Sequence, residues 1–308
     1  LKPAKNSVTS SATTPRPDLI TGQVTAAYGR RFEIETSTSK VYSCIMRGKK
    51  HDATCGDQVE FFPVAIDQGV IETILPRTTL FYRCNSFREK LIAANVTQLV
   101  YVLAAEPSFN LELLDRCLIA AQYQKIRPLI VLNKTDLDKS TQKAAQYLQL
   151  YQKLDYPVLA ISAKKNAQPL IPYLLNHTSL FAGQSGMGKS TLLNEIIPKA
   201  RQSTAEISTA LDSGRHTTTH TRLFHLNEVS HIIDSPGFQE FGLQQMDLAA
   251  LAWGFIEFRT FLGKCQFRNC RHFNEPRCAL QEAMRNGSIE SRRMASYQRL
   301  AESLDSRA

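Results

Sequence analysis

The run Gly183-Gln184-Ser185-Gly186-Met187-Gly188-Lys189-Ser190-Thr191 sets Gly183, Gly188, Lys189 and Ser190 at the offsets of a phosphate-binding loop. Glycine lets the chain curl until successive backbone N–H groups face one anion. The apolar helix that starts here, with Leu192, Leu193, Ile196 and Ile197, adds the positive end of its dipole. Lys189 is expected to reach the β- and γ-phosphates of a nucleotide, and the Ser190 hydroxyl to ligate magnesium. The apolar strand Ser179–Ala182 precedes the loop, which is the context the motif requires.

A phosphate loop does not name the base. Asn133-Lys134-Thr135-Asp136, directly after the apolar strand Leu129–Leu132, does. The Asp136 carboxylate can accept from N1–H and the 2-amino group of guanine, whereas adenine would leave it desolvated and unpaired. Sites built on such bonds discriminate by about 10⁴–10⁵. Asn133 is expected to brace the pocket and touch the base edge, with the Lys134 stem over the ring. Ser162-Ala163-Lys164 follows a further strand and supplies the matching loop, where the Ala163 N–H can donate to O6. Together they favour GTP, and Asp136 argues against an ATP-dependent RNA-processing factor.

Asp234-Ser-Pro-Gly237 ends the strand from His231. Aspartate there holds the hydration shell of magnesium, and the Gly237 N–H can sense the γ-phosphate. An ordinary turn uses the same residues, but Thr217, Thr218 and Thr219 lie between this motif and the phosphate loop. Each is a candidate for the switch threonine, and spacing does not choose among them. The guanine loops at 133–136 and 162–164 precede the phosphate elements at 183–191 and 234–237, so the set is circularly permuted. A parallel sheet permits this, because the same strands assemble with different chain termini. The switch elements then run straight into the C-terminal region, whose movement could be coupled to the γ-phosphate.

Cys265, Cys270, His272 and Cys278 offer three thiolates and an imidazole for one tetrahedral zinc with no open position, hence structural. Arg268, Arg271 and Arg277 are interleaved with them, and Phe267 and Phe273 can cover the metal. Cys44, Cys55, Cys84 and Cys117 are isolated. An odd total of 7 in a 308-residue chain suits a reduced, cytoplasmic setting better than a disulfide framework.

The elements that must position these groups fall into four stretches. Residues 1–18, rich in Ser, Thr, Pro and Lys, read as a flexible tail. Residues 19–76 carry five short alternating strands with Gly or Asp punctuation, the pattern of a small closed β-barrel such as an OB-fold. Its basic turn, Arg47, Lys49, Lys50 and His51, suits phosphate contact or a solvated loop equally. Residues 77–245 alternate apolar strands with helices, as in a mostly parallel α/β sheet covered on both faces. Residues 246–308 lack strand signals and read as helices around the Cys/His cluster.

Hydrophobic residues at 43% and charged residues at 21% exclude a mostly disordered chain. No run reaches the ~18 apolar residues of a membrane span, and no apolar signal-peptide core begins the sequence. Lys and Arg total 37 against 28 acidic residues, and the resulting +9 favours a polyanionic partner.

The sequence resembles the RsgA (YjeQ) family of circularly permuted GTPases. The resemblance covers about residues 19–300 and rests on Gly214-Arg-His-Thr-Thr-Thr219, on Asp234-Ser-Pro-Gly-Phe238, and on the spacing Cys265-x4-Cys270-x-His272-x5-Cys278. It implies a GTP hydrolase with an OB-fold, a permuted P-loop domain and a C-terminal zinc module. It also implies a cytoplasmic monomer that binds the small (30S) ribosomal subunit and its rRNA, assists late maturation, and hydrolyses GTP faster on that particle before release. Phe238 stands where many GTPases carry a water-orienting glutamine, and phenylalanine cannot take that part. The resemblance points to His216 instead, as the residue that positions or polarises water. An rRNA contact by His216, and a GTP-dependent binding switch with negligible turnover, stay open as alternatives.

Overall fold

Alternating side chains build the first unit. Ile20–Tyr28 (β1), Arg31–Thr36 (β2), Val41–Met46 (β3), Gln58–Pro63 (β4) and Gln68–Ile74 (β5) each turn one apolar face inward. They join in the order β1-β2-β3-β5-β4, and β4 returns to β1, with β3 and β5 parallel. Val24, Phe32, Ile34, Cys44, Val59, Phe61 and Ile71 fill the inside of this closed, OB-like barrel. The computed structural model describes residues 18–47, 52–85, 88–198, 200, 221–235, 243 and 245–305. His216, Thr217, Thr218, Thr219, Gly237, Phe238, the turn from Lys49 to His51 and the chain before Asp18 lie outside them.

The barrel is followed by a hairpin, Leu80–Asn85 (β6) with Arg88–Ala94 (β7), that the sequence reading did not anticipate. The charged run Arg88-Glu-Lys90 obscures its alternation. Phe81, Ile92 and Ala93 are nevertheless buried, and the Ala94 N–H donates to the Cys55 carbonyl at 2.9 Å, which ties the hairpin to the barrel.

The expected α/β sheet follows. Its strands are Gln98–Ala104 (β8), Arg127–Asn133 (β9), Val158–Ala160 (β10), Thr178–Ala182 (β11), Thr221–Asn227 (β12) and Ser230–Asp234 (β13). They lie in the order β10-β9-β8-β11-β13-β12, parallel except for β12. Every residue of β8 is buried, as two covered faces require. Helices Leu111–Tyr123 (α1), Asp138–Lys153 (α2), Ile171–Leu174 (α3) and Lys189–Ile196 (α4) connect the strands. α1 begins at Asn110, whose side chain accepts from the Glu112 N–H at 2.8 Å. β9, β11 and β13 end at Asn133, Ala182 and Asp234, so guanine loop, phosphate loop and aspartate converge on one sheet edge.

Two junctions lie beyond periodicity. β12 pairs with β1, Ala26 opposite Arg222 and Ala27 opposite Thr221, so barrel and α/β unit share one continuous sheet. The C-terminal helices Leu248–Gly254 (α5), Ala279–Arg285 (α6) and Ser291–Asp305 (α7) are fastened by buried charge. Arg293 donates to Asp115 of α1 and to Glu257, both at 2.6 Å, while Arg292 reaches Asp115 at 2.8 Å.

Candidate nucleotide site and metal centre

Gly183, Gly186 and Gly188 have φ of 138°, 79° and 89°, the left-handed half of backbone space that curls the loop. Gly188 is also sterically fixed, since a Cβ there would lie 2.3 Å from Nδ2 of Asn133. That amide is the centre of the construction. Asn133 Nδ2 donates to the Met187 carbonyl at 3.1 Å, and Asn133 Oδ1 accepts from the Ala163 N–H at 2.9 Å. One buried side chain therefore bolts the phosphate loop to both guanine loops. The bracing expected of Asn133 is present. The Ala163 N–H, read from the sequence as a donor to the base, is directed to Asn133 instead.

Asp136 lines the cavity, and the Ser162 hydroxyl donates to its Oδ1 at 2.5 Å. This bond, with Lys164 and Lys165 nearby, holds the carboxyl below its usual range and keeps it an acceptor. Lys134 sits at φ 61° with its ammonium on the Glu106 carbonyl at 2.8 Å, an anchor the sequence reading missed. The signal was available in that Glu106 lies just past the end of β8, beside the other loops.

A cavity of about 590 Å³ joins these groups to Ser185, Gly186, Lys189, Ser190, Thr191 and Asp234. Lys189 is buried and donates to the carbonyls of Gly183 at 2.6 Å and Gln184 at 2.9 Å. Burial lowers its pKa, and Asp234 opposes that shift. Burial pushes the Asp234 carboxyl up to about 6, against the pull of Lys189. Its Oδ1 is buried with no hydrogen-bond partner among the described residues. An orphaned carboxylate oxygen across from a serine hydroxyl suits a hydrated hard cation, so the residues present fit magnesium. A carboxyl that titrates near 6 is mostly ionised at neutral pH and free to take a cation, whereas below that pH a cation must displace its proton. Not every residue of the motif turns inward. Met187 is 1% exposed in the core, and Gln184 Oε1 accepts from the Asn110 N–H at 2.7 Å on the outer side of the loop.

The profile of the RsgA GTPase family matches residues 74–244 of this chain. The chain belongs to that family. The small ribosomal subunit biogenesis GTPase RsgA of Nitrosomonas europaea is 64% identical over 288 residues, 92% of each chain. The protein of the same name from Nitrosospira multiformis is 51% identical, covering 98% of this chain and 95% of that one. Among solved structures, YjeQ from Thermotoga maritima has a TM-score of 0.70 at 28% identity, covering 93% of this chain and 98% of that one. YloQ, a circularly permuted GTPase, has a TM-score of 0.68 at 27% identity, over 94% of this chain and 96% of that one.

The second site of this family member is the thiol cluster. The ligand atoms of Cys265, Cys270, His272 and Cys278 all lie within 4.8 Å of one another. His272 Nδ1 is 3.5 Å from the sulfurs of Cys265 and Cys278, and those sulfurs are 4.0 Å apart. Zinc–ligand lengths of about 2.3 and 2.05 Å give tetrahedral edges of about 3.8 and 3.6 Å, so the donor set fits that ion. Burial pushes the Cys270 thiol up to about 12, so charging the cluster calls for a cation. Glu275, which sequence reasoning passed over, accepts from the N–H groups of Arg271 at 2.7 Å and Phe273 at 2.8 Å, holding the loop while His272 takes φ 65°. Phe273 is half-buried beside Tyr297, but Phe267 is 43% exposed and presents an aromatic surface.

Proposed function

We propose that this GTPase acts in late maturation of the small ribosomal subunit, hydrolysing GTP to GDP and phosphate on that particle and leaving it as GDP forms. The observation that carries the reading is one cavity bounded by the base-reading Asp136, the phosphate-reading Lys189 and the carboxylate of Asp234, whose Oδ1 has no partner among the described residues. The names of the relatives add the ribosomal subunit.

In this reading Asp136 accepts from guanine, with Asn133, Lys134, Ser162, Ala163 and Lys164 shaping the base pocket. Lys189 trades the carbonyls of its own loop for β- and γ-phosphate oxygens, a stronger charge-assisted partner. The backbone from Gly183 to Thr191 donates to the same phosphates. Ser190, and Asp234 through water, would hold magnesium, which would supply positive charge against that building on the phosphates. One of Thr217, Thr218 and Thr219, together with the Gly237 N–H, closes on the γ-phosphate. His216 orients the attacking water, since Phe238 offers no hydrogen-bonding group there. Residues 19–76 serve as an RNA-binding barrel, 77–245 as the GTPase unit and 246–308 as a zinc-ordered docking module, preceded by a tail over 1–18. The setting is the cytoplasm, where the ribosomal particle is.

Turnover with separated ribosomal subunits tests the whole scheme. Small subunits, and not large ones, should raise the rate. His216→Ala should keep GTP affinity while slowing subunit-stimulated hydrolysis by about 10²-fold, the range of a lost positioning or acid–base group. Equal stimulated rates in parent and variant would remove His216 from the reaction, and absence of stimulation would leave a nucleotide switch.

One zinc per chain is expected in protein purified without chelator. Cys270→Ser should release it and loosen α6 and α7, while guanine-nucleotide affinity changes less than about threefold because the loops rest on a separate sheet. Metal analysis that finds no zinc in the parent protein rejects this centre.

A further inference from the structure

We infer that Trp253 and the basic turn beside it form a platform on which one unpaired nucleotide of rRNA stacks. The inference rests on the ribosomal reading above and adds to it a site and a mode of contact.

The platform is built by close helix packing. A Cβ at Gly254 would lie 2.6 Å from Ile119 Cγ2, so glycine lets α5 press against α1. That approach brings Trp253 beside the end of α1, where Lys125 turns the chain at φ 56° into β9. Trp253 is 57% exposed and Tyr123 44% exposed, and both border a cavity of about 510 Å³. Large aromatic rings in water are not explained by packing, because burial of such a ring contributes strongly to stability.

The indole is held ready. The Arg259 guanidinium lies 5.1 Å from its ring centre, with Nε donating to the Trp253 carbonyl at 2.9 Å and Nη2 to Gln122 Oε1 at 3.0 Å. Arg259 therefore covers one side of the ring and fixes its position. Lys125 and Arg127 are exposed, border the same cavity, and have no ion-pair partner among the described residues. Among the described residues no acidic side chain lines that cavity.

This chemistry selects the occupant. Arg127 and Lys125 offer charge to a phosphate, while Trp253 offers a face to a base, the combination that takes single-stranded RNA. A protein helix would place apolar side chains against Trp253 but would leave three cations to be matched by acidic residues. A duplex would use the cations alone.

Trp253 is the only tryptophan of the chain, so its emission reports on the platform directly. A short single-stranded oligoadenylate should quench the emission of the full-length protein saturably at low salt. With a fluorescein-labelled strand, anisotropy should show about tenfold weaker binding for Trp253→Leu, and less than about threefold weaker for Trp253→Phe. Lys125→Gln combined with Arg127→Gln should make binding less salt-dependent, as two phosphate contacts are lost. An unchanged melting midpoint and basal GTP turnover in Trp253→Leu show that the fold persists. Unaltered RNA affinity in that variant would overturn the platform while leaving sedimentation with small subunits intact. Equal quenching by blunt duplex RNA, or quenching by ribosomal proteins alone, would also overturn it. Failure of the parent protein to sediment with small subunits would instead remove the ribosome as the source of the strand, and this assignment with it.

Discussion

Asp136→Asn is expected to lower GTP affinity by about 10²- to 10³-fold and to raise affinity for xanthosine triphosphate. The carboxylate accepts from two donors of guanine, and a site whose polar groups are left unpaired discriminates by up to about 10⁴–10⁵. The smaller figure is expected here because Asp136 stands at the cavity rim, half-exposed, where water softens a lost bond. The variant amide presents a donor to the 2-oxo group of xanthine. Its oxygen can still accept from the Ser162 hydroxyl, which now bonds the carboxylate at 2.5 Å, so the loop should keep its shape. Competition between the two triphosphates measures the switch. Undiminished preference for GTP would mean that other groups of the pocket read the base.

The chemistry of this site was legible because it is local. A glycine at φ 89° or a lysine one residue later is dictated by the loop it stands in, and the loop is written contiguously from Gly183 to Thr191. The strands that carry the loops were legible too, since two covered faces demand unbroken apolar runs such as Leu99–Ala104. What escaped was the joining of distant segments. Asn133 bonding Met187 and Ala163 depends on loop geometry, not on a sequence pattern. Glu275 looks like any loop carboxylate until the N–H groups of Arg271 and Phe273 are seen to converge on it. The pairing of β1 with β12 brings together residues about two hundred positions apart, and either strand would alternate equally well as an edge. Asp115 is similarly hidden. In α1 it lies among Leu114, Cys117 and Leu118, where a carboxylate breaks the apolar face until Arg293 is placed against it.

That last arrangement carries the largest expected effect on stability. Arg293 is 1% exposed, and the carboxylates it faces are buried: Asp115 at 0% and Glu257 at 7% side-chain exposure. Removing one member of a buried ionic set leaves the others uncompensated, at about 3–5 kcal/mol. Arg293→Ala should therefore lower the stability of the α7 attachment by that amount, read as a shifted urea midpoint. The pH dependence supplies a second signature. Burial alone would raise the Asp115 carboxyl, but Arg293 and then Arg292 outweigh it and hold the pKa below its usual 3.8. A folded-state pKa below the unfolded one stabilises at neutral pH, and that contribution is lost as acid protonates the group. With Arg293 gone, burial gains ground and the folded-state pKa moves up toward its ordinary value, so acidification should cost the variant less stability than it costs the parent. Asp115→Asn added to Arg293→Met should recover part of the loss at neutral pH, because fewer charges are then left buried. The functional consequence follows from place. Arg293 lies on the module proposed to dock the ribosome, and its partner Asp115 lies on α1, which connects β8 to the guanine-loop strand β9. Basal hydrolysis should survive in Arg293→Ala, while stimulation by small subunits should fall. A variant as stable as the parent at every pH would show that packing of α7, and not this charge set, holds the module to the GTPase.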